Sequence, residues 1–209
     1  MKKICFITTT SITLKSFVIP TAEMLYKEGY DITFICDNDE KFAEMLPEYI
    51  KYIPVDMKRG VNLDVFKCIK KLESIFTKEK FDMVQYSTPN AACYASIAAK
   101  RAKVPIRLYC QWGIRYVGLN GLARTIFKMI EKLVCQKSTH IRAVSPMNKA
   151  FAVREGLYSE DKALVIGQGG TIGVDMNLYD IQKKEEYRDK ICKQYGIGKD
   201  NFIYGFCGR

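Results

Sequence analysis

Four short stretches of this chain carry residues able to hold a polar, negatively charged ligand, and each follows a run that reads as a β-strand. The first, TTTSITLKS from Thr8 to Ser16, offers the hydroxyls of Thr10 and Ser11 and backbone N–H groups just ahead of a helix, where an anion or a sugar hydroxyl is stabilised. The same stretch also reads as an ordinary polar loop in which Ser16 caps the helix. The second, Ser87 to Asn90, sets Ser87 and Thr88 before a proline. The third, CQWGIRYV from Cys110 to Val117, groups Gln111, Trp112, Gly113 and Arg115. Its indole face can stack on a sugar ring, and its guanidinium fork can meet a phosphate through parallel hydrogen bonds. The other arrangement packs Trp112 under the loop and leaves Arg115 in solvent. The fourth, THIRAVSP, ends a strand at Ser145, and His140 in it reads as a strand-start residue rather than a ligand.

The residue inventory excludes other chemistry. His140 is the only histidine, and the eight cysteines are scattered without a CxxC pair. Few soft-ligand combinations remain for zinc, and a Ser-His-Asp or Cys-His pair has no support. The expectation is no metal and no cofactor, with thiols buried as small hydrophobes in a reducing cytoplasm. No stretch approaches the roughly 20 apolar residues that span a bilayer, and the opening apolar run, which ends at Ile7, is too short for a signal peptide. The formal net charge of +10 admits nucleic acid, an anionic lipid surface or a phosphorylated substrate. Nucleic acid is set aside, because no aromatic platform accompanies the basic residues.

The elements that must position these loops alternate between β-rich runs and helical patterns, as in repeated βα units on a parallel sheet. Expected strands cover Lys3 to Thr8, Asp31 to Cys36, Tyr49 to Pro54, Met83 to Tyr86, Ile106 to Cys110, His140 to Val144 and Ala163 to Ile166. One helix has Pro20 in its first turn and ends at Gly29; others run from Asn62 to Lys80, with Val65, Ile69, Leu72 and Phe76 on one face, and from Pro89 through Ala102. The longest, Leu119 to Lys137, has Leu122, Ile126, Met129, Ile130 and Leu133 on a core-facing side and Arg124, Lys128 and Lys132 in a basic line. That line reads either as a solvated stripe or as a contact with anionic headgroups. The fold class is thus α/β: a Rossmann-like three-layer domain with a mainly parallel sheet of about seven strands. The ligand is expected beyond the strands' carboxyl ends. A dinucleotide cofactor lacks its GxGxxG fingerprint, which weighs against an oxidoreductase; a flavodoxin-like module is the other rival on fold alone.

Several phrases, in order, resemble family 4 glycosyltransferases of the GT-B type. FDMVQYSTP is similar to the family's DLVHTHTP, with Gln85 and Ser87 where two histidines are usual. CQWGIR resembles QHGLR, with Trp112 in place of the histidine, and THIRAVSP resembles ADHVIAVSP. IGQGGTIGVD, from Ile166 to Asp175, resembles the loop that closes the first domain, and YGFCGR resembles the strand that opens the second.

The resemblance implies an acceptor-binding domain at 1–175, with 176–209 a linker helix and the first strand of a donor-binding domain whose remainder lies beyond Arg209. It implies a retaining enzyme that moves a sugar from a nucleotide-sugar to a glycan or polyprenyl-diphosphate-linked acceptor in capsular or lipopolysaccharide synthesis. The 209 residues alone are then expected to transfer little or nothing. The substrate-binding residues would be Thr10, Ser11, Ser87, Thr88, Gln111, Trp112, Gly113, Arg115 and Ser145, with Arg124, Lys128 and Lys132 facing a membrane. The protein is expected in the cytoplasm, at the membrane's inner face, able to pair with a second copy through its exposed cleft side. The alternative is a non-catalytic, membrane-recruiting subunit of a split glycosyltransferase.

Overall fold

The structure, a computed structural model, describes residues 1–57, 64–174, 176, 178–198 and 200–206. It divides into two compact units, Met1–Ile172 and Gly173–Arg209, each taken by itself here. The first contains strands β1 (Lys3–Ile7), β2 (Asp31–Cys36), β3 (Ile50–Pro54), β4 (Met83–Tyr86), β5 (Ile106–Gln111), β6 (His140–Ala143) and β7 (Ala163–Leu164). They form one sheet in the order β3-β2-β1-β4-β5-β6-β7, and every pairing is parallel. All seven expected strands are present: β2 and β4 have the expected bounds, β5 runs one residue longer, and the other four are shorter by one or two residues.

The sheet is covered on both faces, as parallel sheets require. Side chains alternate along β1: Ile4 and Phe6 enter one buried cluster, Cys5 and Ile7 the other. Helices α1 (Ser11–Phe17), α2 (Ile19–Lys27) and α3 (Glu40–Met45) supply Leu14, Ala22 and Phe42 to the first cluster. Helices α4 (Val65–Glu79), α5 (Pro89–Arg101), α6 (Gly121–Lys137) and α7 (Pro146–Arg154) cover the second. On α4, Ile69, Leu72 and Phe76 are buried at the expected spacing, and each such side chain contributes about 1.5–3 kcal/mol. Helix α5 meets its neighbours through Ala91, Ala92, Ala95, Ala98 and Ala99, small enough for close approach. The expected start of α4 at Asn62 lies outside the described residues.

Two expectations are corrected and one is refined. The polar loop after β1 is only Thr8–Thr10 long, because a helix begins at Ser11; Ser16 lies inside that helix and is not a cap. The expected helix with Pro20 in its first turn is present as α2, preceded by the short α1. Proline has no N–H to give the carbonyl four residues earlier, so the helical run breaks at Val18, whose ψ is −37° and φ −121°, and α2 restarts with Pro20 in its first turn. On α6 the periodicity holds but its phase does not: Glu131, Val134 and Cys135 are buried, whereas Leu122, Ile126 and Met129 are exposed.

In the second unit, a 3₁₀ turn at Ile181–Lys183 leads into α8 (Lys184–Tyr195), which stops at Gly196 in the left-handed conformation, φ +64°. The expected strand at FIYGFCGR does not form over Phe202–Phe206, since none of the described residues of this unit offers a paired neighbour; Cys207 to Arg209 lie outside the described residues. Among the described residues no helix is long and apolar enough to cross a membrane.

Candidate functional site

The sheet order sets where a ligand can lodge. From β1 the chain moves outward to β2 and β3, then returns to β4 on the other side of β1, so a crevice opens at the carboxyl ends of β1 and β4. Ile7 pairs with Tyr86, which places Thr8–Thr10 beside Ser87 and Thr88. The two loops are tied: the Thr9 backbone N–H donates to Thr88 Oγ1 at 3.0 Å, and the two threonine hydroxyls lie 2.9 Å apart. Thr88 holds φ +65°, a left-handed backbone that β-branched residues rarely adopt, directly before Pro89 opens α5.

Beside this knot lies a cavity of about 410 Å³, bordered by Thr88, Pro89, Trp112, Gly113, Arg115 and Glu131 among others. Four expected binding residues thus share one cavity: Thr88, Trp112, Gly113 and Arg115. Arg115 is exposed, its guanidinium carbon 4.8 Å from the Phe127 ring centroid. The Trp112 indole packs against Phe17 at 5.4 Å between centroids, and its Nε1 is buried with no hydrogen-bond partner among the described residues. This is the second arrangement read from the sequence, a packed indole with Arg115 exposed, although both residues border the cavity.

Other expected residues play supporting parts. Gln111 is fully buried; its Nε2 donates to Glu131 at 2.6 Å and its Oε1 accepts from the Tyr158 hydroxyl at 2.9 Å. Ser87 is buried, and Thr10 flanks α1, its hydroxyl 3.4 Å from that of Thr13. Ser11 turns away and donates to Asp39, which also accepts from the Phe42 backbone at the start of α3; the Ser11 hydrogen bond holds that carboxyl below its usual range.

Ser145 caps α7 by accepting from the Asn148 N–H at 3.1 Å. The glycine-rich loop folds onto it: Gly170 N–H donates to Val144 O at 2.7 Å, and Gly169, at φ +102°, lies so close that a Cβ there would sit 2.5 Å from the same oxygen. Only glycine fits that approach.

The basic line on α6 largely turns inward. Arg124 donates to the carbonyls of Tyr116 and Val117 and lies over the Tyr116 ring at 5.3 Å. Lys128 pairs with Glu155 at 2.8 Å, and the Tyr116 hydroxyl donates to the same carboxylate. Burial, aided by Glu155, pushes the Tyr116 hydroxyl up to about 12. Lys132 stays exposed.

Sequence reasoning missed Glu131. It is 8% exposed, and its Oε1 accepts from both Tyr109 at 2.9 Å and Gln111. Burial raises its carboxyl above the ordinary range and outweighs the two hydrogen bonds that lower it. A raised carboxyl pKa means the folded state binds the proton more tightly, so this group's contribution to stability is greatest at low pH. It is lost as pH climbs from the unfolded value near 4.5 through the folded one. The denaturation midpoint of Glu131→Gln relative to the native chain is therefore expected to rise across that window. A constant difference at all pH values would refute the assignment. The available signal was its position in the buried stripe with Phe127, Ile130 and Val134.

The fold is a Rossmann-like domain with a parallel sheet, and its candidate cavity lies at the carboxyl ends of β4 and β5. A profile of the glycosyl transferase 4-like family matches residues 3–145, and the chain belongs to that family. A capsular polysaccharide biosynthesis glycosyltransferase, CapM, of Staphylococcus aureus is 30% identical over 190 residues, covering 90% of this chain and 48% of the relative. The Escherichia coli UDP-Gal:alpha-D-GlcNAc-diphosphoundecaprenol alpha-1,3-galactosyltransferase is 23% identical over 194 residues, with 90% and 48% covered. Among solved structures, a glycosyltransferase from Rickettsia africae superposes with a TM-score of 0.67 at 18% identity, covering 95% of this chain and 50% of that one. The chain spans about half the length of the curated relatives it matches.

Proposed function

We propose that these residues form the acceptor-binding half of a retaining glycosyltransferase that moves a sugar from a nucleotide-sugar to a lipid-linked diphosphate acceptor in surface polysaccharide synthesis. The observation that carries the reading is the cavity at the carboxyl ends of β4 and β5, where Arg115 and Trp112 lie within the segment that matches the family. An exposed guanidinium suits a diphosphate, and the aromatic wall suits a pyranose ring. The E. coli relative, named for an undecaprenyl-diphosphate substrate, supports the same acceptor class. Nucleotide-sugar binding and the sugar-transfer step are assigned to a donor domain of the kind that completes a GT-B enzyme. Calorimetric titration of the chain with farnesyl diphospho-N-acetylglucosamine tests the reading. Saturable binding is expected, and its absence at millimolar probe would refute it.

The same proposal assigns α6 to the cytoplasmic face of an anionic membrane. Its exposed ridge of Leu122, Ile126 and Met129 is apolar, and Lys132 lies exposed on the same helix. Co-sedimentation with phosphatidylglycerol vesicles is expected for the native chain and is expected to fall several-fold in the double variant Leu122→Glu, Met129→Glu. Equal sedimentation of the two proteins would remove α6 from the contact.

A further inference from the structure

Glu131 is a carboxylate with no positively charged partner among the described residues; its bonds come from the neutral donors Tyr109 and Gln111. An unpaired buried charge is costly, and proteins retain such groups where they act on something. Both donors converge on Oε1. The sealed polar side-chain atoms lacking partners, among the described residues, are Trp112 Nε1 and Asn148 Oδ1, so Glu131 Oε2 is not sealed; it reaches open space, and Glu131 borders the 410 Å³ cavity. The arrangement therefore fixes one carboxylate oxygen and leaves the other, beside the cavity, without a protein partner among the described residues. Gln111 is held in turn by Tyr158, so β5 and the loop after α7 together fix the orientation.

Two groups of different character border the same cavity. Trp112 contributes its ring, with the indole N–H buried, and Arg115 carries the positive charge. A ligand that satisfies this set needs hydroxyl donors for Glu131, a ring for the indole and an anionic group for the arginine. A sugar carrying a diphosphate has all three.

We propose that Glu131 is a specificity-determining residue, its Oε2 accepting hydrogen bonds from hydroxyls of the acceptor's terminal sugar. Tyr109, Gln111 and Tyr158 act as positioning residues that hold the carboxylate. This rests on the acceptor-binding reading above and adds to it which part of the acceptor the cavity reads.

Trp112 is the only tryptophan of the chain, so its emission reports on the cavity directly. The experiment titrates this emission in the full chain with two probes, farnesyl diphospho-N-acetylglucosamine and farnesyl diphosphate, for the native protein, Glu131→Gln and Glu131→Asp. The glutamine variant keeps side-chain volume and an Oε1 acceptor; the aspartate keeps the charge but withdraws it by one methylene. Expected is a Kd for the sugar-bearing probe raised about tenfold in both variants, as for loss of a hydrogen bond to a charged group, with farnesyl diphosphate bound equally by all three proteins. Unchanged affinity for the sugar-bearing probe overturns the role of Glu131 and leaves the acceptor reading standing. Equal weakening for both probes also overturns it, because Glu131 would then only shape the cavity. Failure of the native chain to bind either probe overturns the acceptor reading itself.

Discussion

Replacing Thr88 by valine is expected to lower the free energy of unfolding by about 2–3 kcal/mol, although the two side chains have nearly the same shape. The hydroxyl that is lost accepts the backbone N–H of Thr9, a buried residue, and an unsatisfied buried donor costs about 1–3 kcal/mol. The left-handed backbone at φ +65° remains, and a purely apolar β-branched side chain has no hydrogen bond to offset it. Thr88→Ser keeps the acceptor and is expected to stay within about 0.5 kcal/mol of the native chain. Thr88→Gly falls between, losing the acceptor while relieving the backbone. Urea denaturation of the three variants decides the matter: if valine and serine unfold together, the Thr9 bond does not hold the crevice.

Arg115→Ala is expected to weaken binding of a lipid diphosphate ten- to a hundredfold, the range for charge-assisted hydrogen bonds to a phosphate, while stability changes by no more than about 1 kcal/mol. The stability limit follows from exposure, since the contact given up is the cation–π stacking on Phe127. Arg115→Lys keeps the charge but loses the planar fork, so it recovers only part of the affinity. Titration with farnesyl diphosphate separates the cases. An alanine variant that binds as well as the native chain would remove Arg115 from the site and with it the main electrostatic support for the proposed acceptor.

The sheet was legible because its signals are local and agree with one another. Seven short β-rich runs alternate with helical spacing, and parallel order follows from that alternation. The cavity was half legible: Thr88, Trp112, Gly113 and Arg115 stand on loops that leave β4 and β5, where this topology puts ligands. What failed was phase. On α6 the apolar residues repeat at helical spacing on a side that is not buried, because Leu122, Ile126 and Met129 occupy the outward turn. The inward side carries a glutamate, which hydropathy alone assigns to solvent. Its hydrogen-bond partners are Tyr109, 22 residues before it, and Gln111, 20 before, so beyond its place in the helix stripe no window within the helix reveals what holds it. Ser11 misled for a similar reason: its partner, Asp39, is 28 residues away.

The sheet order also governs how the chain assembles as it is made. β1 precedes the other six strands in the chain yet lies inside the sheet, with β2 on one side and β4 on the other. Its first edge can pair once residues 31–35 are available, but its second waits for residues 83–86. Throughout that interval a nascent chain presents one open, apolar strand edge, the feature most prone to mispairing. The crevice cannot exist before that edge is closed, so it forms only with the least local pairing of the fold.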